Sequence, residues 1–186
     1  MPPLLEATLE PGASFAAGPE QRRPPSAPGG RKQPSGRRPH HDAAGAMALH
    51  VSKLRGITDQ VRSKLKRQGI TYTDQLVEAA GRAHERRDLA ARSGIDAATL
   101  GRLVRRADLT RIKGIGAIFA DMLEMLGVDR MARLARQEPG DLHQALSQLN
   151  ATQRLARRAP TPEEVQDWIA QAHTLPRLIE DEAGPD

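Results

Sequence analysis

Cysteine is absent from this chain of 186 residues, which removes disulfide frameworks and thiolate metal sites from consideration. Aromatic residues are almost as scarce: Phe15, Tyr72, Phe119 and Trp168 are the whole set. A core must therefore be aliphatic, and there is no platform of rings on which single-stranded bases could stack. No segment approaches the roughly 20 consecutive apolar residues that cross a bilayer. The opening "MPPLLEATLEPG" has neither a basic stretch nor a sustained apolar run, which argues against a secretory signal. A soluble chain in a reducing cytoplasm is expected. Catalytic signatures are missing as well, with no Walker-type loop, nucleophile elbow or dense acidic cluster. His40, His41, His50, His84, His143 and His173 have no carboxylate or cysteine partners at ligand spacing. The expectation is a protein that is not an enzyme, with no cofactor, metal, membrane contact or small-molecule substrate.

Charge, by contrast, is abundant and unevenly spread. Between Lys53 and Lys113 fifteen Lys or Arg face seven Asp or Glu, a net +8, whereas Gly114 to Asp186 has seven against twelve, a net −5. Such asymmetry points to a side that faces a polyanion, although a GC-rich genome would also inflate Arg. Residues 1–46 hold nine of the fourteen prolines and six of the sixteen glycines, with almost no apolar periodicity. That composition cannot offset the entropy of ordering, so disorder is expected there. Either the segment is a basic tail that attracts phosphate, or translation begins at Met47, where the pattern changes abruptly.

From Met47 onward the pattern is helical. Apolar residues recur at three- and four-residue spacing, as in Val61 and Leu65, Leu100, Leu103 and Val104, and Leu142, Leu146 and Leu149. In "TPEE" Thr161 can cap, Pro162 suits the first helical position and Glu164 completes a capping box. Val165, Trp168, Ile169, Ala172 and Leu175 then share one side until Pro176. The fold class is all-α. The domain is expected over 47–176, followed by an acidic, solvated tail over 177–186.

Sliding the sequence against itself by 58 residues reveals a repeat. Leu54 falls on Ile112, Gly56 on Gly114, Ile57 on Ile115, Val61 on Phe119 and Leu65 on Leu123. Gly69 then falls on Gly127, Ile70 on Val128 and Leu76 on Leu134. The two units are expected over about 53–108 and 111–175. The pattern Ile112, Gly114, Ile115, Gly116, Ala120, Leu123, Gly127 resembles the helix-hairpin-helix motif. Gly114 and Gly116 would permit positive φ and a close backbone approach, and Ile115 would pin the two helices. The following helix would offer open N–H groups and the positive end of its dipole to an anion. The resemblance implies a grip on DNA backbone without sequence reading. It also implies two tandem units packed as one compact domain, as in Holliday-junction branch-migration proteins and several repair nucleases. The runs "ADLTRIKGIG", "LGVDRMARLA" and "LNATQRLARRAPTPEEVQDWIAQAHTL" narrow it further. Over Leu54–Leu175 the chain is similar to a bacterial family of tandem helix-hairpin-helix domains of unknown function.

On these grounds Arg111, Lys113, Gly114, Ile115 and Gly116 are the leading phosphate candidates, with Asp121 as a nearby negative charge that opposes them. The alternative is that the Gly-Ile-Gly turn is only a tight connection with a solvated helix start. The first hairpin departs from the pattern, since Thr58 replaces the second glycine and would cap the helix itself. Gly56, Arg62 and Lys66 are the candidates there, the two cations sharing a helix face with four-residue spacing. Arg102, Arg105 and Arg106 form a third cluster, expected to flank the second hairpin. Duplex DNA or another nucleic acid is the expected partner. The alternative is a protein-interaction module, favoured by Thr58, Asp59, Asp121 and an apolar patch at Met122, Met125 and Met131.

Overall fold

Helix starts in this chain have local causes. The computed structural model describes residues 48–180, which fall in a single compact unit. The expected tail over 1–46 and the alternative start at Met47 lie outside the described residues. After a 3-10 turn at Val51–Lys53 come eight α-helices: α1 (Asp59–Arg67), α2 (Thr73–Ala80), α3 (Ala83–Ser93), α4 (Ala97–Leu109), α5 (Ala117–Met125), α6 (Met131–Leu134), α7 (Pro139–Gln153) and α8 (Pro162–Thr174). Among the described residues there is no strand, only an isolated antiparallel bridge between His50 and Tyr72. The fold is all-α, as expected. Thr58 accepts from the Val61 amide at 3.2 Å to open α1, and Asp96 accepts from the Thr99 amide at 2.9 Å to open α4. Thr161 and Glu164 close the expected capping box on α8, with Pro162 at its first turn.

Two aliphatic clusters form the core. Val51, Leu54, Leu65, Ile70, Leu76, Leu89 and Leu100 belong to one. Leu109, Ile112, Ile115, Leu123, Val128, Leu134, Leu146 and Trp168 belong to the other. Helix α4 serves both, with Leu100, Leu103 and Val104 in the first and Leu109 in the second. Several positions 58 apart share a conformation. Helix α1 starts at Asp59 and α5 at Ala117. Gly56 and Gly114 have φ of 77° and 99°, and Gly69 and Gly127 have φ of 78° and 79°. Beyond α1 the Ile70 amide donates to Leu65 O at 3.0 Å, and beyond α5 the Val128 amide donates to Leu123 O at 2.8 Å. Past that point the likeness fades, since α2 has eight residues and α6 only four.

The two glycines of the Gly-Ile-Gly turn do different work. At Gly114 the backbone is left-handed, and a Cβ would come within 2.6 Å of Trp168 Nε1, so no side chain fits. Gly116 departs from expectation: its φ is −88°, open to any residue, and a Cβ there would meet nothing within 4 Å. Neither backbone nor packing requires glycine at 116.

The chain does not leave the domain at Pro176. Glu180 N donates to Gly81 O at 2.9 Å, and the buried Arg86 donates to Glu180 O at 3.0 Å. A Cβ on Gly81 would come within 2.4 Å of Leu178 O. Residues 177–180 of the expected solvated tail are thus anchored to α2 and α3, and residues 181–186 lie outside the described residues.

Gly114→Ala should cost about 3 kcal/mol, from left-handed strain together with overpacking against Trp168. Gly116→Ala should cost less than about 1 kcal/mol, the difference between these residues at a helix start. Urea unfolding followed by the fluorescence of Trp168, the single tryptophan, separates them. A second outcome concerns Glu164, which receives both Arg158 nitrogens at 2.6 and 2.7 Å and the Thr161 amide at 2.8 Å. Arg158 first, then the Thr161 amide, hold its carboxyl down at about 2, from an ordinary 4.5. The folded value is depressed, so the stabilisation is complete above the unfolded value and is lost as pH falls from 4.5 toward 2. With the side chain about one third exposed, solvent screening keeps it below about 1 kcal/mol. Glu164→Gln should flatten that acid limb in unfolding curves measured across the same window.

Candidate nucleic-acid interface

The loop between α4 and α5 is largely tied down by its own chain. Thr110 Oγ1 donates to Ala107 O at 2.7 Å, the Ile112 amide donates to Leu109 O and the Ile115 amide to Ile112 O at 3.0 Å. From α8, Gln171 brackets Lys113: its Oε1 accepts from the Lys113 amide at 2.8 Å and its Nε2 donates to Lys113 O at 3.2 Å. Asp167 fixes that amide by accepting from Gln171 Nε2 at 2.7 Å. Trp168 abuts Gly114 on the side where a Cβ would stand, and its ring lies 5.1 Å from that of Phe119. Ile115 is buried and joins Leu109, Ile112 and Ala120, the pinning role expected of it.

Open donors lie at Gly114 and from Gly116 to Phe119. Helix α5 has no side-chain cap and no acidic residue in its first turn. The amides of Gly114, Gly116, Ala117, Ile118 and Phe119 have no hydrogen-bond partner among the described residues. Together with the empty space where a Gly116 Cβ would stand, this leaves a helix start bare on one side. The start of α1 differs, because Thr58 Oγ1 fills it as expected. Gly56, in the corresponding loop, faces Arg106, whose Nη1 would lie 3.6 Å from its Cβ.

The predicted cations divide into two groups. Arg111 is only 5% exposed and donates from Nη1 to Asp108 at 2.7 Å and to Pro176 O at 3.1 Å. It turns away from the role of phosphate ligand. Arg105 pairs with Asp129 at 3.1 Å. Arg106 pairs with Asp121 at 3.1 Å and with Glu124, and donates to Arg55 O. Arg55 in turn meets Asp121 at 3.1 Å. The expectation that Arg105 and Arg106 flank the hairpin as phosphate contacts therefore meets a structure in which both hold α4 to α5 and to the segment beyond it. Buried charges need such partners. Asp121, expected to oppose an anion, is compensated by two guanidiniums. Lys113, Arg102 and Lys66 remain exposed with no ion pair among the described residues, and Arg62 pairs at the surface with Asp59 at 2.9 Å.

The expected methionine patch contracts, since Met122 and Met131 are buried and only Met125 is exposed, at 48%. Ile118, seven residues earlier on α5, is 43% exposed. Gln171, Trp168, Arg55 and Glu124 are the residues that sequence reasoning missed here; only the Arg-rich and acidic spacing of the last two carried any signal. Among the described residues no group of His, Asp or Glu could hold a metal ion, and no helix is long and apolar enough to cross a membrane.

The family model described as a domain of unknown function (DUF4332) matches residues 55–175. No curated protein and no solved structure matches the chain.

Removing Asp121 leaves Arg55 and Arg106 short of a counter-charge, so Asp121→Ala should cost about 2–3 kcal/mol, below the full penalty because Arg55 is half exposed. Arg102→Ala should stay within about 0.5 kcal/mol, as exposed substitutions do. Paired denaturation curves check both.

Proposed function

The chain belongs to the DUF4332 family, and from that premise we propose that its domain is a tandem pair of helix-hairpin-helix units that binds duplex nucleic acid through the backbone, without reading sequence, at the start of α5. The observation that carries this reading is Gly116. Its conformation and surroundings tolerate other residues, so the absence of a side chain there leaves room for something that approaches from outside. The neighbouring amides await an acceptor, and a phosphate oxygen is the natural one at a helix start. Lys113 supplies an adjacent mobile cation, and Arg102 and Lys66 add long-range attraction. The pairing of α1 with α5, and of Gly56 and Gly69 with Gly114 and Gly127, supports reading the halves as duplicated units. They are unequal, because Thr58 closes the first and Gly116 leaves the second open. Lack of cysteine supports a cytoplasmic setting.

A second reading has its own observation. Ile118 and Met125 lie two turns apart on α5 and are both exposed, which suits a protein partner laid along that helix. Capture of a partner that survives nuclease and high salt but fails with Met125→Glu would favour it.

Gel shifts on a mixed-sequence duplex test the first reading. Gly116→Asp places a carboxylate where the phosphate would sit, and Lys113→Glu reverses the adjacent charge. Each should weaken binding at least about tenfold. With two to four phosphate contacts, the logarithm of affinity should fall with that of salt at a slope of about −2 to −4. Unchanged binding in both variants, or a flat salt response, removes the α5 start as the grip.

A further inference from the structure

Arg111, displaced from the phosphate role, borders a cleft of about 540 Å³ between α2, the start of α3 and the returning C-terminal segment. That volume suits a small molecule. One part of its wall is apolar, made by the buried Val77 with Pro176 and the exposed Leu178. Arg111 is more than nine-tenths buried, and its protein contacts all fall on Nη1. Nε and Nη2 donate to nothing among the described residues. No buried side-chain nitrogen there is left unsatisfied, so both keep contact with open space, and the cleft is the space that Arg111 lines. The free edge of a guanidinium receives a carboxylate through two parallel hydrogen bonds.

A bare anion would not suit the rest of the site. Asp108 already balances Arg111, and Arg82 is matched by Glu85 at 3.7 Å. Glu78, on α2, adds further negative charge to the wall. Glu78 is exposed and has no ion-pair partner among the described residues. A ligand that brings a carboxylate to Arg111 must therefore bring a cation to the α2 side, joined by an apolar frame that covers Val77 and Leu178. We propose that this cleft binds a small amphoteric ligand of the amino-acid class, its carboxylate on Arg111 and its amine toward Glu78.

Titrations of the isotope-labelled full chain, followed through backbone amide resonances, test it with 6-aminohexanoate, hexanoate and hexylamine, which share one carbon frame, and with leucine for a shorter charge separation. At least one amphoteric probe should shift Val77, Glu78 and Arg111, and hexanoate and hexylamine should bind at least about tenfold more weakly. Glu78→Gln, a surface change, should weaken the better amphoteric probe about tenfold while leaving the melting temperature in place. The idea is overturned if no probe shifts those amides at about 10 mM, a threshold far weaker than useful affinities. It is equally overturned if hexanoate or hexylamine binds as tightly as the amphoteric probes, or if Glu78→Gln binds like the parent.

Discussion

A buried carboxylate, Asp121, sits between the guanidiniums of Arg55 and Arg106, and the arrangement of the molecule's charge follows from it. Burying an ion costs several kcal/mol unless a partner compensates it, so the first loop, α4 and α5 are obliged to meet at this point. Glu124 completes the set on Arg106, and Asp129 extends it through Arg105, Arg130 and Arg133. The excess of positive charge before Gly114 and of negative charge after it is thus partly spent inside the protein. Arg55, Arg105 and Arg106 come from the basic stretch, and Asp121, Glu124 and Asp129 from the acidic one. Charge asymmetry that resembles a polyanion-facing surface works in part as adhesive between two halves of one domain.

This network also sorts the available cations from the committed ones. Lys113, Arg102 and Lys66 are free to meet an outside charge, whereas Arg105, Arg106 and Arg111 would have to abandon carboxylates first. The nucleic-acid surface proposed for this domain is therefore smaller than the count of basic residues suggests. The proposed surface centres on amides, which are neutral and cannot be competed away by neighbouring acids in the same manner. The Gly-Ile-Gly turn answers to two constraints at once. Gly114 is required by the protein, because Trp168 leaves no room. Gly116 is required by nothing in the protein. One glycine seats the turn against α8 and the other leaves its outer side clear.

Much of this is legible in the sequence, and the rest is illegible for definite reasons. Helix starts at Thr58 and Thr161 are readable because capping is local, decided within four residues. The 58-residue offset anticipates the shared conformations of Gly56 with Gly114 and of Gly69 with Gly127, since left-handed turns leave glycine as their trace. The fate of Arg111 is harder. Asp108 three residues earlier was a clue to an ion pair, but burial of that pair depends on Pro176, which is 65 residues away. Gln171 could not be assigned to the Lys113 loop from any pattern, because a single amide bracketing one backbone unit leaves no periodic signal. The anchored segment 177–180 is hidden likewise: its acidic composition reads as solvated, while its backbone is held by Gly81 and Arg86.

The most direct test lies in the amides themselves. Backbone resonances of Gly116, Ala117 and Ile118 should move first and furthest when a short mixed-sequence duplex is added to the intact chain. The Val61 amide, already bonded to Thr58, should stay in place. Duplex that binds while those three amides remain still, or that fails to bind at low salt, would contradict a phosphate grip at the start of α5.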